Sequence, residues 1–203
     1  MNLIVFGAAG RTGKHIVSRA LGHGHAVTAF VHCTPLDIEH ESLISVTGDV
    51  LDFDSVSAAM RGRTAVAFAL SGAGNHEPGI ANVIHAMAEH EVLRLSAVSA
   101  AGTFARGDKA LSLAYRAMVA TALRSVYEDL EKMEMRIKAS ALDWTIVRPV
   151  GLTDGPATGD YRISLDGSLL PKSTRISRED VAAVVVKSLE TDTYRHRAVV
   201  VGQ

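Results

Sequence analysis

The chain is poor in cysteine, in aromatic residues and in clustered charge. Its one cysteine, Cys33, excludes an intrachain disulfide and any metal site built on grouped thiolates, and it suits a reducing compartment. Phe, Trp and Tyr make up only 5% of the 203 residues, so Ala, Val, Ile and Leu must build the core. Lys and Arg number 21 against 22 Asp and Glu, and no basic block occurs. Nucleic acid and anionic membrane are therefore not expected as partners. No apolar run approaches the roughly 18 residues of a membrane span. Met1 leads directly into a strand rather than a charged leader, so a cytoplasmic protein is expected. The nine histidines are scattered, with His23 and His25 in a turn and His85 and His90 on a helix. None has a cysteine or acid at a ligand spacing, and no metal site is expected.

The length suits one α/β domain over 1–203. Asn2 to Phe6 is a short apolar run of the kind that forms a buried parallel strand. Thr12 to Leu21 has helical spacing, with Ile16, Val17, Ala20 and Leu21 on one side. Further strands are expected at Ala26–Val31, Leu43–Val46, Thr64–Leu70, Arg94–Val98, Trp144–Val147, Arg162–Leu165 and Ala198–Val201. Helices fall between them: one capped by Asp52 or Asp54 and ending near Met60, one over Ile80–His90, and a long stretch from Leu111 to Ser140. Ser177-Arg-Glu-Asp180 is a capping box that opens a last helix. Within the long stretch, Glu128, Asp129, Glu131, Lys132, Glu134 and Arg136 read as a solvated face with i,i+4 pairs. This alternation predicts a Rossmann-like, doubly wound parallel sheet. The less regular C-terminal third is expected to form a small substrate lobe over the strand ends.

The most informative segment is Gly7-Ala8-Ala9-Gly10-Arg11-Thr12-Gly13, between a strand and a helix. Gly7 permits the tight turn, Gly10 lets the backbone approach a pyrophosphate, and Gly13 lets the helix pack closely. The helix N-terminus offers free N–H groups and about half a positive charge. Gly7, Ala9, Gly10, Arg11, Thr12 and Gly13 are thus the expected phosphate cradle of a dinucleotide.

The spacing G-x-x-G-x-x-G resembles the extended and atypical branches of the short-chain dehydrogenase/reductase superfamily. With Thr47-Gly-Asp-Val50, Leu142 to Pro149, Thr158-Gly-Asp-Tyr161, Ile176 to Val181 and Thr191 to Tyr194, the chain resembles one atypical branch in particular. That branch holds biliverdin-IXβ reductase (flavin reductase) and the NmrA-type NAD(P)-binding proteins. The resemblance is weak between Thr103 and Met135. It implies that Asp49 and Val50 contact the adenine and that Leu70, Ser71 and Gly72 lie beside the ribose. It also implies that Ser99 sits near the nicotinamide and that Pro149 and Val150 hold the carboxamide. No acid ends the second strand, where NAD sites carry one, and His32 stands there instead. NADP is therefore expected, with NAD possible, and Arg11 is a candidate helper for the phosphate.

None of the four tyrosines has the lysine four residues on that an ordinary member of the superfamily uses for proton transfer. Tyr127 comes nearest, with Lys132 one place late. The resembling branch also lacks the pair. It moves hydride from NADPH to a small aromatic acceptor such as a flavin or biliverdin, and solvent can supply the proton. Ser99 is the candidate catalytic residue. The branch's substrate histidine is Val150 here, its cysteine before the serine is Ala97, and the aromatic after it is Ala100 or Ala101. These departures keep open a non-catalytic dinucleotide sensor of NmrA type, and more remotely an epimerase-like enzyme. A monomer or weak homodimer is expected.

Overall fold

The computed structural model describes residues 1–103, 121 and 123–203. In chain order its elements are β1 (Asn2–Phe6), α1 (Gly13–Gly22), β2 (Ala26–Val31), β3 (Leu43–Thr47), α2 (Phe53–Met60), β4 (Ala65–Phe68), α3 (His76–Glu89) and β5 (Arg94–Val98). After these come α4 (Arg124–Ala139), β6 (Asp143–Pro149), β7 (Gly151–Thr153), β8 (Arg162–Ser164), β9 (Arg175–Ser177), α5 (Arg178–Glu190), a 3₁₀ turn (Asp192–Tyr194) and β10 (Arg197–Gly202). The main sheet has the order β3-β2-β1-β4-β5-β6-β10-β8. Neighbours are parallel except β8, which lies antiparallel to β10. The chain reverses direction between β1 and β4, the topological switch point where such sheets bind ligands.

Apolar residues on both sides of each central strand explain the two covered faces. On β1, Leu3 and Val5 pack with Ile16 and Val17 of α1 and Val181 and Val185 of α5. Ile4 and Phe6 point the other way, into a core with Val56 of α2, Ile80 and Met87 of α3, and Met133 and Ile137 of α4. Phe6 stands 4.9 Å from Phe30 and 6.4 Å from Phe68, ring centre to centre, so three of the chain's few aromatics meet on this face. No helix among the described residues is long and apolar enough to cross a membrane.

Several boundaries differ from the sequence reading. α3 begins at His76, one turn before the apolar spacing starts, with Pro78 in a first turn that needs no donor from it. β4 is shorter than the apolar run, because pairing with β1 ends near Phe68. Of the expected helix from Leu111 to Ser140, Arg124–Ala139 is α4, while residues 111–120 and 122 lie outside the described residues. The C-terminal third takes the form of β8 on the main sheet's edge and a separate two-stranded parallel sheet of β7 and β9.

The reading of residues 128–136 as a solvated face is corrected. Glu134 is fully buried and Asp129 nearly so. Both lie on the same helical stripe as Leu130, Met133 and Ile137, which packs inward. Their charges are met inside the protein rather than by water. The Arg124–Glu128 pair, 2.8 Å, is the i,i+4 surface pair of the expected kind.

α5 is capped as expected: Ser177 Oγ accepts from the Asp180 amide at 3.0 Å. The Asp180 carboxylate also accepts from the Ser177 hydroxyl and from the amides of Thr158 and Gly159. Burial works to raise the Asp180 pKa, but these hydrogen bonds outweigh it and hold the group below 3.8. A carboxyl whose pKa is lowered in the fold stabilises above its unfolded pKa and loses that contribution as pH falls through the folded one. Asp180→Asn is therefore expected to lower Tm by about 4–8 °C at pH 7, corresponding to about 2 kcal/mol for a buried hydrogen-bonded charge. The gap to the wild type should close as pH drops below about 4. Thermal melts across that range check it, and a gap independent of pH would contradict the assignment.

Candidate functional site

The loop after β1 is shaped by contacts that only glycine allows. Gly7 has φ +79°, and a Cβ there would lie 2.5 Å from the Ala69 carbonyl oxygen. A Cβ on Gly13 would lie 2.0 Å from the Gly7 carbonyl oxygen, so α1 rests directly on the turn. Gly10 is different: its Cβ would clear everything but the Gly7 oxygen, at 3.0 Å. Its amide closes the turn onto Gly7 at 2.9 Å. α2 and α5 are capped by their own side chains, Asp52 and Ser177, but α1 has no side-chain cap and no acid in its first turn. The amides of Arg11, Thr12 and Gly13 have no partner among the described residues. A helix start left bare in this way fits an anion such as a pyrophosphate.

Two cavities adjoin this loop. The first, about 510 Å³, runs across the ends of β1, β2 and β3. Its walls include Gly7, Ala9, His32, Asp49 and Val50. The second, about 320 Å³, extends toward β5 and α4 and includes Arg11, Thr12, Gly72 and Ser99. Gly10, Leu70 and Ser71 line both. A dinucleotide laid across the shared wall would place one half in each. Gly13 lines neither and acts through packing. Pro149 and Val150 also line neither: the Pro149 carbonyl accepts from the Ala101 amide at 2.9 Å, and Val150 packs against Gly202. From that segment Leu152 reaches the second cavity instead.

His32 is exposed, and its Nε2 lies 4.0 Å from an Asp49 carboxylate oxygen. The other Asp49 oxygen accepts from the Leu51 amide at 2.9 Å. The absence of an acid on β2 is thus partly offset by one arriving from the end of β3. Arg11 lines the other cavity and pairs with Asp154, away from His32. Asp154 also accepts from Arg178 at 2.7 Å. Its two guanidinium partners, Arg11 first, hold its carboxyl below the ordinary value.

Ser99 ends β5, is nearly buried, and donates from Oγ to Glu134 Oε1 at 2.7 Å. Glu134 also accepts from Arg148 Nε at 2.9 Å and Lys138 Nζ at 3.0 Å. With the serine proton on Glu134, the Thr103 hydroxyl 3.2 Å away donates to Ser99 Oγ, which leaves one oxygen lone pair for the cavity. A second buried carboxylate serves His76. His76 Nδ1 lies 2.9 Å from Asp129 Oδ2. Asp129 also accepts from the amides of Gly74, His76 and Glu77, so it caps α3 from another helix. Burial works to raise the Asp129 pKa, and these hydrogen bonds outweigh it and keep it ionised below the usual range. An ionised Asp129 makes Nδ1 the donor and leaves Nε2 as the ring atom for the second cavity, which His76 lines.

Sequence reasoning missed His76, Asp129, Glu134 and Arg148. One readable signal was the phase of the two acids with the apolar stripe of α4. Another was a charged Arg148 next to the apolar Ile146 and Val147 in the buried part of β6. α4 turns Val126 and Leu130 to the second cavity, four residues apart. That is the spacing of Tyr-x-x-x-Lys, and both side chains are apolar.

Residues 7–192 match the family described as NAD(P)H-binding, and the chain belongs to that family. A curated relative, the uncharacterized sugar epimerase YhfK of Bacillus subtilis, is 27% identical over 214 residues, covering 98% of this chain and 92% of that protein. Among solved structures, a short-chain dehydrogenase/reductase from Veillonella parvula in complex with NADP aligns with a TM-score of 0.85 at 20% identity, covering 100% of this chain and 94% of that one. ChuY, an anaerobillin reductase from Escherichia coli, aligns with a TM-score of 0.78 at 23% identity, covering 99% and 96%. At these identities the superpositions establish the Rossmann-like fold alone.

The glycines separate binding from folding. Gly10→Val should cut dinucleotide affinity about 100-fold or more, because its branches enter the pyrophosphate path, and leave Tm within a few degrees. Gly13→Ala should lower Tm by about 5 °C or more, since α1 must lift off Gly7. Calorimetric titration with NADP and thermal melts of both variants test the pair.

Proposed function

We propose that this NAD(P)H-binding family member is a reductase that uses NADPH to reduce a small aromatic acceptor of flavin or tetrapyrrole type. The observation that carries the reading is the second cavity. It continues the dinucleotide cleft, has apolar walls of Val98, Ala100, Val126, Leu130 and Leu152, and carries Ser99 and His76 beside them, with Arg11, Thr12, Ser71 and Arg178 as its other polar groups. A flat apolar ring fits such walls. The sugar chemistry named for the Bacillus relative calls for polar groups around hydroxyls, and the i,i+4 positions on α4 are apolar. The structural likeness to ChuY, an anaerobillin reductase, supports the acceptor class.

A bound NADPH supplies the hydride, two electrons with their hydrogen, to an acceptor lying on its nicotinamide ring. The chain's residues do the rest. The bare start of α1 holds the pyrophosphate, and Ser99 Oγ accepts a hydrogen bond from the carboxamide or from an acceptor N–H. As the imidazolium, with Nδ1–H on ionised Asp129, His76 would give its Nε2 proton to the acceptor atom that gains charge, become the neutral Nδ1–H ring, and be reprotonated at Nε2 from water. The sequence reading left this step to solvent; the Asp129-held imidazole is better placed for it.

A sensor reading is supported by the Arg11–Asp154–Arg178 cluster, which ties the glycine loop to the segment after β7. A phosphate that claims Arg11 frees Asp154. Tight NADP binding with no turnover, and changed proteolysis of residues 154–160, would select that reading.

Purified protein is expected to oxidise NADPH in the presence of FMN, riboflavin or biliverdin. No turnover across that panel overturns the reductase. His76→Gln should lower kcat about 100-fold with KM for the acceptor within about threefold. NADP should bind more tightly than NAD, and Asp49→Asn should widen that preference roughly tenfold by removing the carboxylate beside His32. A clear NAD preference in both proteins would reject NADPH as the coenzyme.

A further inference from the structure

We propose that His23, His25 and Glu190 form a site for a divalent transition ion of the zinc type, at the end of the sheet remote from the dinucleotide cleft. His23 Nδ1 lies 2.9 Å and His25 Nε2 2.7 Å from Glu190 Oε1. All three candidate ligand atoms fall within 4.8 Å of one another. Two imidazole nitrogens and one carboxylate oxygen are a three-ligand zinc set, whereas calcium and magnesium take oxygen sets. Ligand bonds of about 2.0–2.1 Å put tetrahedral ligand atoms roughly 3.3 Å apart. The Glu190 oxygen must therefore retreat by about half an ångström, and the two imidazole nitrogens, within 4.8 Å of each other, must close toward that spacing by side-chain rotation of the exposed His23. The His23 side chain is 38% exposed, which leaves the fourth position to water.

The backbone supports the same charge. His23 is the C-cap of α1, and Glu190 is the last residue of α5. The two helices pack against each other, so their C-terminal ends, each with a partial negative charge, converge on the cluster. No spacing in the sequence reveals the set, because Glu190 lies 165 residues from His25.

The ion would staple the α1–β2 turn to the end of α5. β2 begins at Ala26, next to His25, and reaches the cleft wall at Phe30, Val31 and the following His32. That separates the two sites by about 15–20 Å. Dinucleotide binding should therefore be independent of the ion.

The test uses the full chain, stripped with EDTA, in a non-coordinating buffer, with zinc chloride as the probe. Calorimetry should show one zinc per chain lost in the variants below. Tm should rise by about 5–10 °C at a hundredfold excess over Kd. His23→Gln and His25→Gln should each weaken zinc binding at least roughly tenfold, while His85→Gln should not change it. The NADP Kd should be the same with and without zinc. His23→Gln alters an exposed side chain, so it keeps the test open if His25→Gln fails to fold. No zinc-dependent heat or Tm shift, or unchanged zinc affinity in His23→Gln, overturns the proposal.

Discussion

The site depends first on how closely α1 approaches the end of β1. Gly13 sits on the Gly7 carbonyl with no room for a Cβ, and Gly7 likewise leaves no room for one against the Ala69 carbonyl just after β4. These two contacts fix the turn at the switch point between β1 and β4. They also aim the first amides of α1 at the crevice rather than at a side-chain cap. An uncapped helix start costs stability when nothing occupies it, and the chain caps α2 and α5 with its own side chains. Keeping α1 bare is consistent with reserving it for an anion.

The second constraint is the pair of acids buried on α4. A buried carboxylate is expensive unless its oxygens are met. Glu134 is met by Arg148, Lys138 and Ser99; Asp129 by three amides and His76. Each acid ties α4 to a different neighbour, β5 and β6 in one case and the start of α3 in the other. Each also orients one polar side chain in the second cavity. The charges thus couple packing to site geometry, which an apolar pair on the same stripe would not do.

Local signals were enough for most of the fold. The Asn2–Phe6 run, the three loop glycines, Asp52 as a cap and Ser177 with Asp180 act within a few residues, and each appears where the sequence reading put it. His32, Asp49, Val50, Leu70, Ser71 and Ser99 line the two cavities, because parallel strands bring their C-terminal ends to one edge. What was not legible arises from contacts between distant elements. Asp129 and Glu134 look solvated in sequence because charge is read before phase. Asp49 reaches His32 only after β3 pairs with β2. Val150 turns toward Gly202 because β6 pairs with β10, which no local pattern records.

The same helix geometry separates two kinds of charge to the two edges of the sheet. In a parallel α/β layer every helix runs against the strands, so helix starts gather at the strands' C-terminal edge and helix ends at the other. The first edge has bare amides at α1 and suits phosphate. At the second, α1 and α5 end beside His23, His25 and Glu190, where the backbone favours a cation. An anion site at the first edge and a cation site at the second are the arrangement the dipoles stabilise. A cation at the second edge would leave the phosphate edge undisturbed, since β2 spans the distance between them and its pairing with β1 and β3 is continuous.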